Sequence, residues 1–420
     1  MSPDSILWIV TTFIEGFIQW LNSLTVLNFV SIFWPLLVID FVRTVAKSVF
    51  LLICALYQKV HPLKLKDSVF PKVSLIIPAH NEEKIIARAI ESALETDYPY
   101  KEVIVVDDGS KDKTYQQAYP YSQKGLIKLL HRDVASSSKA TALNYGLVFA
   151  SGDVIVVVDA DTLIERDSLK EIVKPFSIPN VSAVSGNVRI MGGEYGSRNF
   201  LVRLQTYEYL ISLELGRRFS SIIKSLLIIS GAFGAFWKGD VRSLGEYDKD
   251  TITEDFDLTF KMRKLGQRLY FADKAVSWTF APEKWKDWRR QRTRWTKGQV
   301  ETLWKHRNVL LEKGFDARFA VAIFDIVLID IAVLFIRFVW YGYLLLFYQP
   351  TFLYVTVFSV FLYMILGFVA FVSASILSPR KGDLKNIYLL PAVVLFYRPY
   401  YSLVRLKAYF DWIFRRENRW

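Results

Sequence analysis

Acidic, basic and aromatic residues recur along this 420-residue chain in short groups whose chemistries fit one another. Asp159-Ala160-Asp161 sets two carboxylates two positions apart after an apolar run, a spacing that can hold a divalent cation bridging phosphates. Asp107-Asp108-Gly109-Ser110 follows another apolar run and reads equally as an ordinary Asp-Gly turn. Lys139 opens Lys-Ala-Thr-Ala-Leu-Asn, where it can pair with a phosphate or carboxylate or stand solvated at a helix start. In Thr253-Glu254-Asp255 the acidic pair precedes a helical run, so Asp255 can accept a hydroxyl proton or cap the helix. Gln291-Arg292-Thr293-Arg294-Trp295 supplies, in Gln291 and Arg294, a grip for a diphosphate and, in Trp295, an indole that can stack on a sugar. A base, a diphosphate clamp and a stacking platform are what the transfer of a sugar requires.

These groups need a frame. Val73–Ile77, Glu102–Val106, Ile127–Leu130 and Val154–Val158 read as apolar strands. The runs 82–94 and 139–150 have helical period, Ile85, Ile86, Ala89, Ile90 and Ala93 falling on one side of the first. Strand and helix in alternation predict an α/β domain with a Rossmann-like, mostly parallel sheet covered on both faces. Ligands of such sheets bind beyond the carboxyl ends of the strands. Ala79-His80-Asn81-Glu82, Asp107-Asp108 and Asp159-Ala160-Asp161 each fall at such an end, which points to a nucleotide site. Helical period resumes at Phe256–Leu265 and strand character at Arg268–Ala272, while 199–229 reads as largely helical. In Ser230–Phe236, Gly231 and Gly234 permit close approach of a ligand to the backbone, so that Gly231, Ala232, Phe233 and Gly234 are candidates for acceptor contact; a tight loop under the sheet explains them as well.

Both ends of the chain are apolar and aromatic, whereas the middle has the balance of a soluble protein. A bilayer core needs about 20 apolar residues in a helix. Phe29–Tyr57, Ala317–Tyr348 and Phe352–Leu377 reach that length; Ile6–Leu27 and Ile387–Leu403 can span or lie in the interface. Asp325, Asp330 and Arg337 are costly in lipid, and an ion pair between Asp330 and Arg337 or contact with a polar ligand would account for them. Trp285, Trp288, Arg292, Trp295, Gln299 and Thr302 share one stripe of an amphipathic helix suited to a membrane interface. Basic residues in 58–72 and at Arg415, Arg416 and Arg419 place those segments on the cytosolic side. The expected division is an N-terminal membrane segment of one or two spans (1–62), a cytosolic catalytic domain (63–283), interface helices (284–316) and a C-terminal membrane segment of two or three spans with a basic tail (317–420).

A net charge of +12 is read as affinity for a lipid bilayer and nucleotide phosphates, with no nucleic-acid motif in sight. Cys54 is single, which excludes an intramolecular disulfide, and four dispersed histidines disfavour zinc. Asp4, with no basic residue in Met1–Ser5, argues against a cleaved secretory signal.

The order Pro78-Ala-x-Asn81-Glu82-Glu83, Asp107-Asp108-Gly-Ser, Lys139-x-x-Ala-Leu-Asn, Asp159-x-Asp161, Thr253-Glu254-Asp255 and Gln291-x-x-Arg294-Trp295 resembles that of the membrane-embedded processive family-2 glycosyltransferases. These include hyaluronan, cellulose, chitin and poly-N-acetylglucosamine synthases. The resemblance spans about Val73 to Lys297, and Gly186-Asn-Val-Arg189 with Gln205-x-x-Glu208-Tyr209 is most similar to the N-acetylglucosamine-polymer branch. It implies a GT-A fold flanked by transmembrane and interfacial helices in the cell membrane, with a cytosolic active site. It also implies a UDP-sugar donor, UDP-N-acetylglucosamine first, a growing polysaccharide acceptor, and Mg2+ or Mn2+. Pro78, Asn81, Glu82, Asp107, Asp108, Lys139 and Asp159 would bind nucleotide, and Asp159 and Asp161 metal. Asp255 would be the base of an inverting displacement with Glu254 beside it, and Gln291, Arg292, Arg294 and Trp295 a lid over diphosphate and acceptor. Thr141, where many members have Gly, and His80, where Tyr or Phe is common, depart from the pattern and leave the donor sugar open. Transfer of one sugar to a lipid carrier, or a silent sugar domain on a membrane scaffold, would share much of this sequence.

Overall fold

The computed structural model describes residues 3–61, 70–136, 138–191, 198–311 and 316–414. Its centre is one eight-stranded sheet: β1 (Val73–Ala79), β2 (Lys101–Asp108), β3 (Lys128–Arg132), β4 (Val154–Val158), β5 (Thr162–Ile164), β6 (Val181–Met191), β7 (Phe233–Trp237) and β8 (Arg268–Phe280), in spatial order 3-2-1-4-7-6-8-5. The first four strands pair in parallel, as the alternation of strand and helix predicts. Beyond them β6 and β8 also pair in parallel, while β7 runs antiparallel to β4 and β6, and β5 antiparallel to β8. The sheet is mixed.

The β1, β2 and β4 runs are buried on both faces, so alternate residues feed two separate cores. Leu75, Ile77, Val103, Val105 and Val156 meet Ile86 and Ile90 of helix Ile86–Leu94 on one face. Ile76, Ile104, Val106, Ile155 and Val157 meet Leu143 and Leu147 of helix Lys139–Phe149 on the other. That second helix lies so close that a Cβ at Gly146 would stand 2.8 Å from the Ile76 side chain.

Ser230–Phe236 is only partly a loop. From Phe233 it is strand β7, where Phe233 and Ala235 enter one core and Phe236 the other. Phe233 and Gly234 therefore belong to the sheet interior and do not face an acceptor, a correction to the expectation for those two residues. The Phe233 ring occupies the space above Gly186 on the neighbouring strand, where a Cβ would come within 2.1 Å of it.

Three helical segments, Ala317–Phe347, Gln349–Leu377 and Asp383–Ile413, are long and apolar enough to cross a membrane. Asp4–Ser23 and Val26–Trp34 form a pair bent by 110° that is also apolar enough if taken as one broken span. The expected Asp330–Arg337 pair does not form. Arg337 meets Asp40 at 2.9 Å, Asp330 meets Arg405 at 2.7 Å, and Asp325 meets Arg43 at 2.7 Å. Residues seven apart on one helix lie nearly two turns from each other, so each acid finds a base on another segment. The basic segment around 62–69 and Arg415, Arg416 and Arg419 lie outside the described residues.

The amphipathic stretch is one helix, Trp285–Lys305, and its stripe faces protein more than lipid. Trp288 and Arg292 are fully buried. Trp288 stacks on Tyr400 with ring centroids 5.6 Å apart, and its Nε1–H donates to the Tyr397 hydroxyl at 2.9 Å. Thus the tryptophans bind this helix to the last membrane helix.

A buried ionic cluster joins the sheet to the membrane segments. Fully buried Glu214 accepts from Arg189 and Arg218, each at 2.5 Å, and from Asn187 at 3.0 Å. Arg189 also reaches Asp383 at 3.1 Å, and Arg218 the Leu377 carbonyl at 3.1 Å, so both ends of the turn between two spans are held. Removing one partner of such a cluster strands buried charge. Glu214→Ala should lower unfolding stability by about 3–5 kcal/mol in detergent, read as a fall in melting temperature. A change under about 1 kcal/mol would refute that role for the cluster.

Candidate active site

The site forms where β1, β2 and β4 end and where helix Glu254–Lys264 begins. Asn81 leaves β1 in the left-handed region, φ 57°, a conformation that asparagine tolerates. Its N–H donates to Ser110 Oγ at 2.9 Å and its Oδ1 accepts from the Lys111 N–H at 2.8 Å, so Asn81 fastens β1 to the turn after β2. In that turn Gly109 has φ +65°, and a Cβ there would meet the Ala135 backbone at 2.4 Å. The turn is therefore pressed against the following loop. Asp107, fully buried, is taken up by His131 Nδ1 at 2.8 Å and the Ser110 N–H at 3.3 Å. Asp108 accepts from Ser136 Oγ at 2.6 Å, forms an ion pair with Arg132, whose Nε stands 3.0 Å away, and lines the cavity described below. Of this acidic pair, Asp108 faces the cavity and Asp107 braces the turn.

Asp159 and Asp161 stand directly beyond β4. Lys139 Nζ is in ionic contact with Asp159, lies 3.6 Å from Glu254 Oε1, and donates to the Gly231 carbonyl at 3.4 Å. Burial works against charge on the lysine, but Asp159 and Glu254 outweigh it and raise its pKa above the usual amine value. Asp161 Oδ1 accepts from Thr162 at 3.2 Å and Thr279 at 3.3 Å. Burial and then the charge of Asp159 push Asp161 up to about 6. Glu82 is pushed up to about 7 by burial and the charges of Asp161, Asp159 and Asp112. The Glu254 carboxyl is likewise raised by burial, against the pull of Lys139. Negative charge is thus in excess at this end of the sheet, and a divalent cation fits there. Among the described residues no three metal-ligating side chains form a ready cage. Asp159 and Asp161 would supply two ligands, leaving the others to water and substrate phosphate, as is usual for Mg2+.

Asp255 Oδ2 accepts from the Gly231 N–H at 2.9 Å and its Oδ1 from the Phe256 N–H at 2.8 Å. A Cβ at Gly231 would lie 3.0 Å from Asp255 Oδ2 and 3.1 Å from Lys139 Nζ, so this position keeps Asp255 and Lys139 within reach of one backbone. Gly231 and Ala232 line the cavity, unlike Phe233 and Gly234. Gln291, Arg294 and Trp295 share one face of the Trp285–Lys305 helix and line the opposite wall. Arg292 turns away from them, a second correction. It lies fully buried, donates to Glu208 at 2.7 Å and to Gln291 Oε1 at 2.9 Å, and sits 4.3 Å from the Trp295 ring centroid. At about 100° per residue, 292 lies beside 295 but well round from 291 and 294, on the side of the helix that packs against protein. Arg292 holds Gln291 and Trp295 in place.

One cavity of about 1070 Å³ joins these parts. It extends from Pro78, Glu82 and Asp161 past Lys139 and Asp255 to Trp295 and Gln299. It then continues to Asp330, Tyr401 and Arg405, which belong to two of the segments long enough to span a membrane. Tyr401, Arg405, Ser212 and Arg217 escaped sequence reasoning, since each lies in an apolar or helical run with no motif to single it out. Glu208 and Tyr209, noticed through the resemblance, line the wall below Trp295.

Residues 74–239 match the family described as glycosyl transferase family 2. The chain is 31% identical over 232 residues to poly-β-1,6-N-acetyl-D-glucosamine synthase of Staphylococcus epidermidis, and 30% identical over 232 residues to that of Staphylococcus aureus strain COL. Each match covers 55% of this chain and 55% of the relative, so the chain spans about half the length of the curated relatives it matches. Among solved structures, a mannosyltransferase from Pyrobaculum calidifontis in complex with GDP-Man and Mn2+ superposes with a TM-score of 0.56 at 21% identity. That match covers 90% of this chain and 99% of the other. It establishes the GT-A-like fold.

The raised carboxyls set a pH dependence. Glu82 and Asp161 carry protons below about 7 and about 6 in the ligand-free protein, and only the deprotonated forms attract a cation. Mn2+ affinity should therefore rise from about pH 5 to about pH 8, and Glu82→Gln should remove the upper part of that rise. Titration calorimetry over this range checks it, and a flat profile would contradict the charge excess.

Proposed function

We propose, for this chain with its glycosyl transferase family 2 match over residues 74–239, a processive inverting activity that builds a β-linked polysaccharide from a UDP-sugar and leads it out through its own membrane helices. UDP-N-acetylglucosamine is the proposed donor, supported by the name of the relatives at 30–31% identity. The observation that carries the reading is the single cavity that runs from the strand-end carboxylates past Asp255 to polar residues of two membrane helices. A transferase that only shuttled one sugar between soluble partners would have no need of that continuity.

In this reading Asp108, Glu82 and Asn81 frame the nucleoside, and Asp159 and Asp161 would hold Mg2+ or Mn2+, which would offset diphosphate charge. Arg294 and Gln291 grip the same diphosphate from the lid, and Trp295 stacks on the terminal sugar of the acceptor. Asp255, fixed by two backbone N–H groups, takes the proton of the acceptor hydroxyl as its oxygen bonds to the anomeric carbon. The bond to the diphosphate breaks on the opposite face, which inverts the configuration. Lys139 draws Asp159 and Glu254 together by its charge and keeps both ends of the site in register. The catalytic domain would face the cytosol and the helices the cell membrane.

The full chain in detergent, given Mn2+ or Mg2+ and a panel of UDP-sugars, tests this. UDP release with a ladder of oligosaccharides or polymer supports the reading. One added sugar moves the assignment to single transfer onto a carrier, and no release from any donor overturns it. Asp255→Asn should lower transfer by about 10²–10⁴-fold with UDP still bound. Trp295→Ala should shorten products, seen in the mass distribution, and products of unchanged length would remove Trp295 from the acceptor platform.

A further inference from the structure

Three arginines in the wall between sheet and membrane have carboxylate partners. Arg189 and Arg218 share Glu214, and Arg292 holds Glu208. Arg217 differs. It closes the π-helical turn Ser212–Arg217, and its side chain lines the cavity that holds Asp255. Among the described residues its side chain makes one hydrogen bond, from Nη1 to Ser185 Oγ at 2.9 Å, and Ser185 donates in turn to the Gly186 carbonyl at 3.1 Å. Arg217 is part-buried, and burial depresses its pKa against the pull of Tyr209 and Asp255. A five-donor fork tethered at one nitrogen leaves donors for an oxygen that enters the cavity.

The side of the cavity follows from the charges. Glu82 and Asp161 act on each other and on Asp159 at the strand ends, and Lys139 bridges Asp159 to Glu254. Arg217 instead answers to Asp255 and Tyr209, on the wall that also carries Glu208 and Ser212. That is the side away from the metal-binding pair. A π-helical turn, which often marks a functional site, puts it there.

We infer that Arg217 is an acceptor-binding residue: tethered by Ser185 and flanked by Tyr209, its guanidinium donates hydrogen bonds to ring, hydroxyl or acetamido oxygens of the acceptor's terminal sugar and turns the attacking hydroxyl toward Asp255. The inference rests on the transfer reading above and adds a specificity-determining contact to it.

The test uses the full chain in detergent with UDP and Mn2+, titrated with a β-1,6-linked N-acetylglucosamine trisaccharide. Arg217→Gln should weaken trisaccharide binding about tenfold or more while UDP affinity stays within about twofold. Arg217→Lys should fall between, and Ser185→Ala, which frees the fork, should cause a smaller loss of the same kind. In turnover, the Arg217→Gln share of donor lost to water should rise relative to donor transferred. Equal trisaccharide affinity in wild type and variants, a parallel loss of UDP affinity, or no trisaccharide binding by the wild type would each overturn the inference. If the Arg217 variants do not fold, unchanged affinity in Ser185→Ala overturns it alone. Absence of UDP release from the wild type speaks against the transfer reading instead, and the titration is read independently of it.

Discussion

Like charges gathered at the end of a buried sheet repel one another strongly, because little water is present to screen them. Glu82, Asp159, Asp161, Glu254 and Asp255 converge on one cavity, and the lysine at the start of the Lys139–Phe149 helix stands among them. Its ammonium touches Asp159, approaches Glu254 and bonds the Gly231 carbonyl, so it links the end of β4 to the start of the Glu254–Lys264 helix. One cation thereby spans both sides of the cavity. The remaining negative charge leaves Glu82 and Asp161 with carboxyls that give up their protons reluctantly. The fold holds these groups close at a cost in stability, which is the usual mark of a site kept ready for a cation.

The Trp285–Lys305 helix answers to that constraint from the other side. Its cavity face presents Gln291, Arg294 and Trp295, while its buried face sets Trp288 among the tyrosines of the Arg398–Ile413 helix. Arg292 belongs to both, since its guanidinium meets Glu208, Gln291 and the Trp295 ring. A displacement of the last apolar helix would therefore be felt at Gln291 and Trp295 through Tyr397, Trp288 and Arg292, a path made of direct contacts.

Much of this was legible in the sequence, and the gaps have physical causes. Strands β1, β2 and β4 are continuous runs of Val, Ile and Leu, the pattern of a strand buried on both faces, and the acidic groups at their ends follow from that. β7 was hidden because Phe-Gly-Ala-Phe reads as a loop until its period of two is set against Gly186, which makes room for Phe233. β5 is three residues long and has no signature of its own. At the site, Glu254, Asp255, Asp159 and Asp161 were visible from type and spacing. That Asp107 and Arg292 face inward depends on partners 24 and 84 residues away, His131 and Glu208. Pairing of Asp330 with Arg405 was equally out of reach, 75 positions apart. Local spacing cannot show such contacts.

The buried join between the sheet domain and the membrane helices limits how the protein can be divided. Leu201, Leu204, Tyr207 and Leu210 share one apolar cluster with Ala370, Phe371, Leu389 and Leu390, and Arg189 reaches Asp383 across the same seam. A fragment cut before residue 317 would bare that apolar surface to water and leave Arg189 short of a partner. Expressed alone, the catalytic half would be sticky and poorly soluble, so preparative work is best served by the intact chain in a lipid or detergent environment.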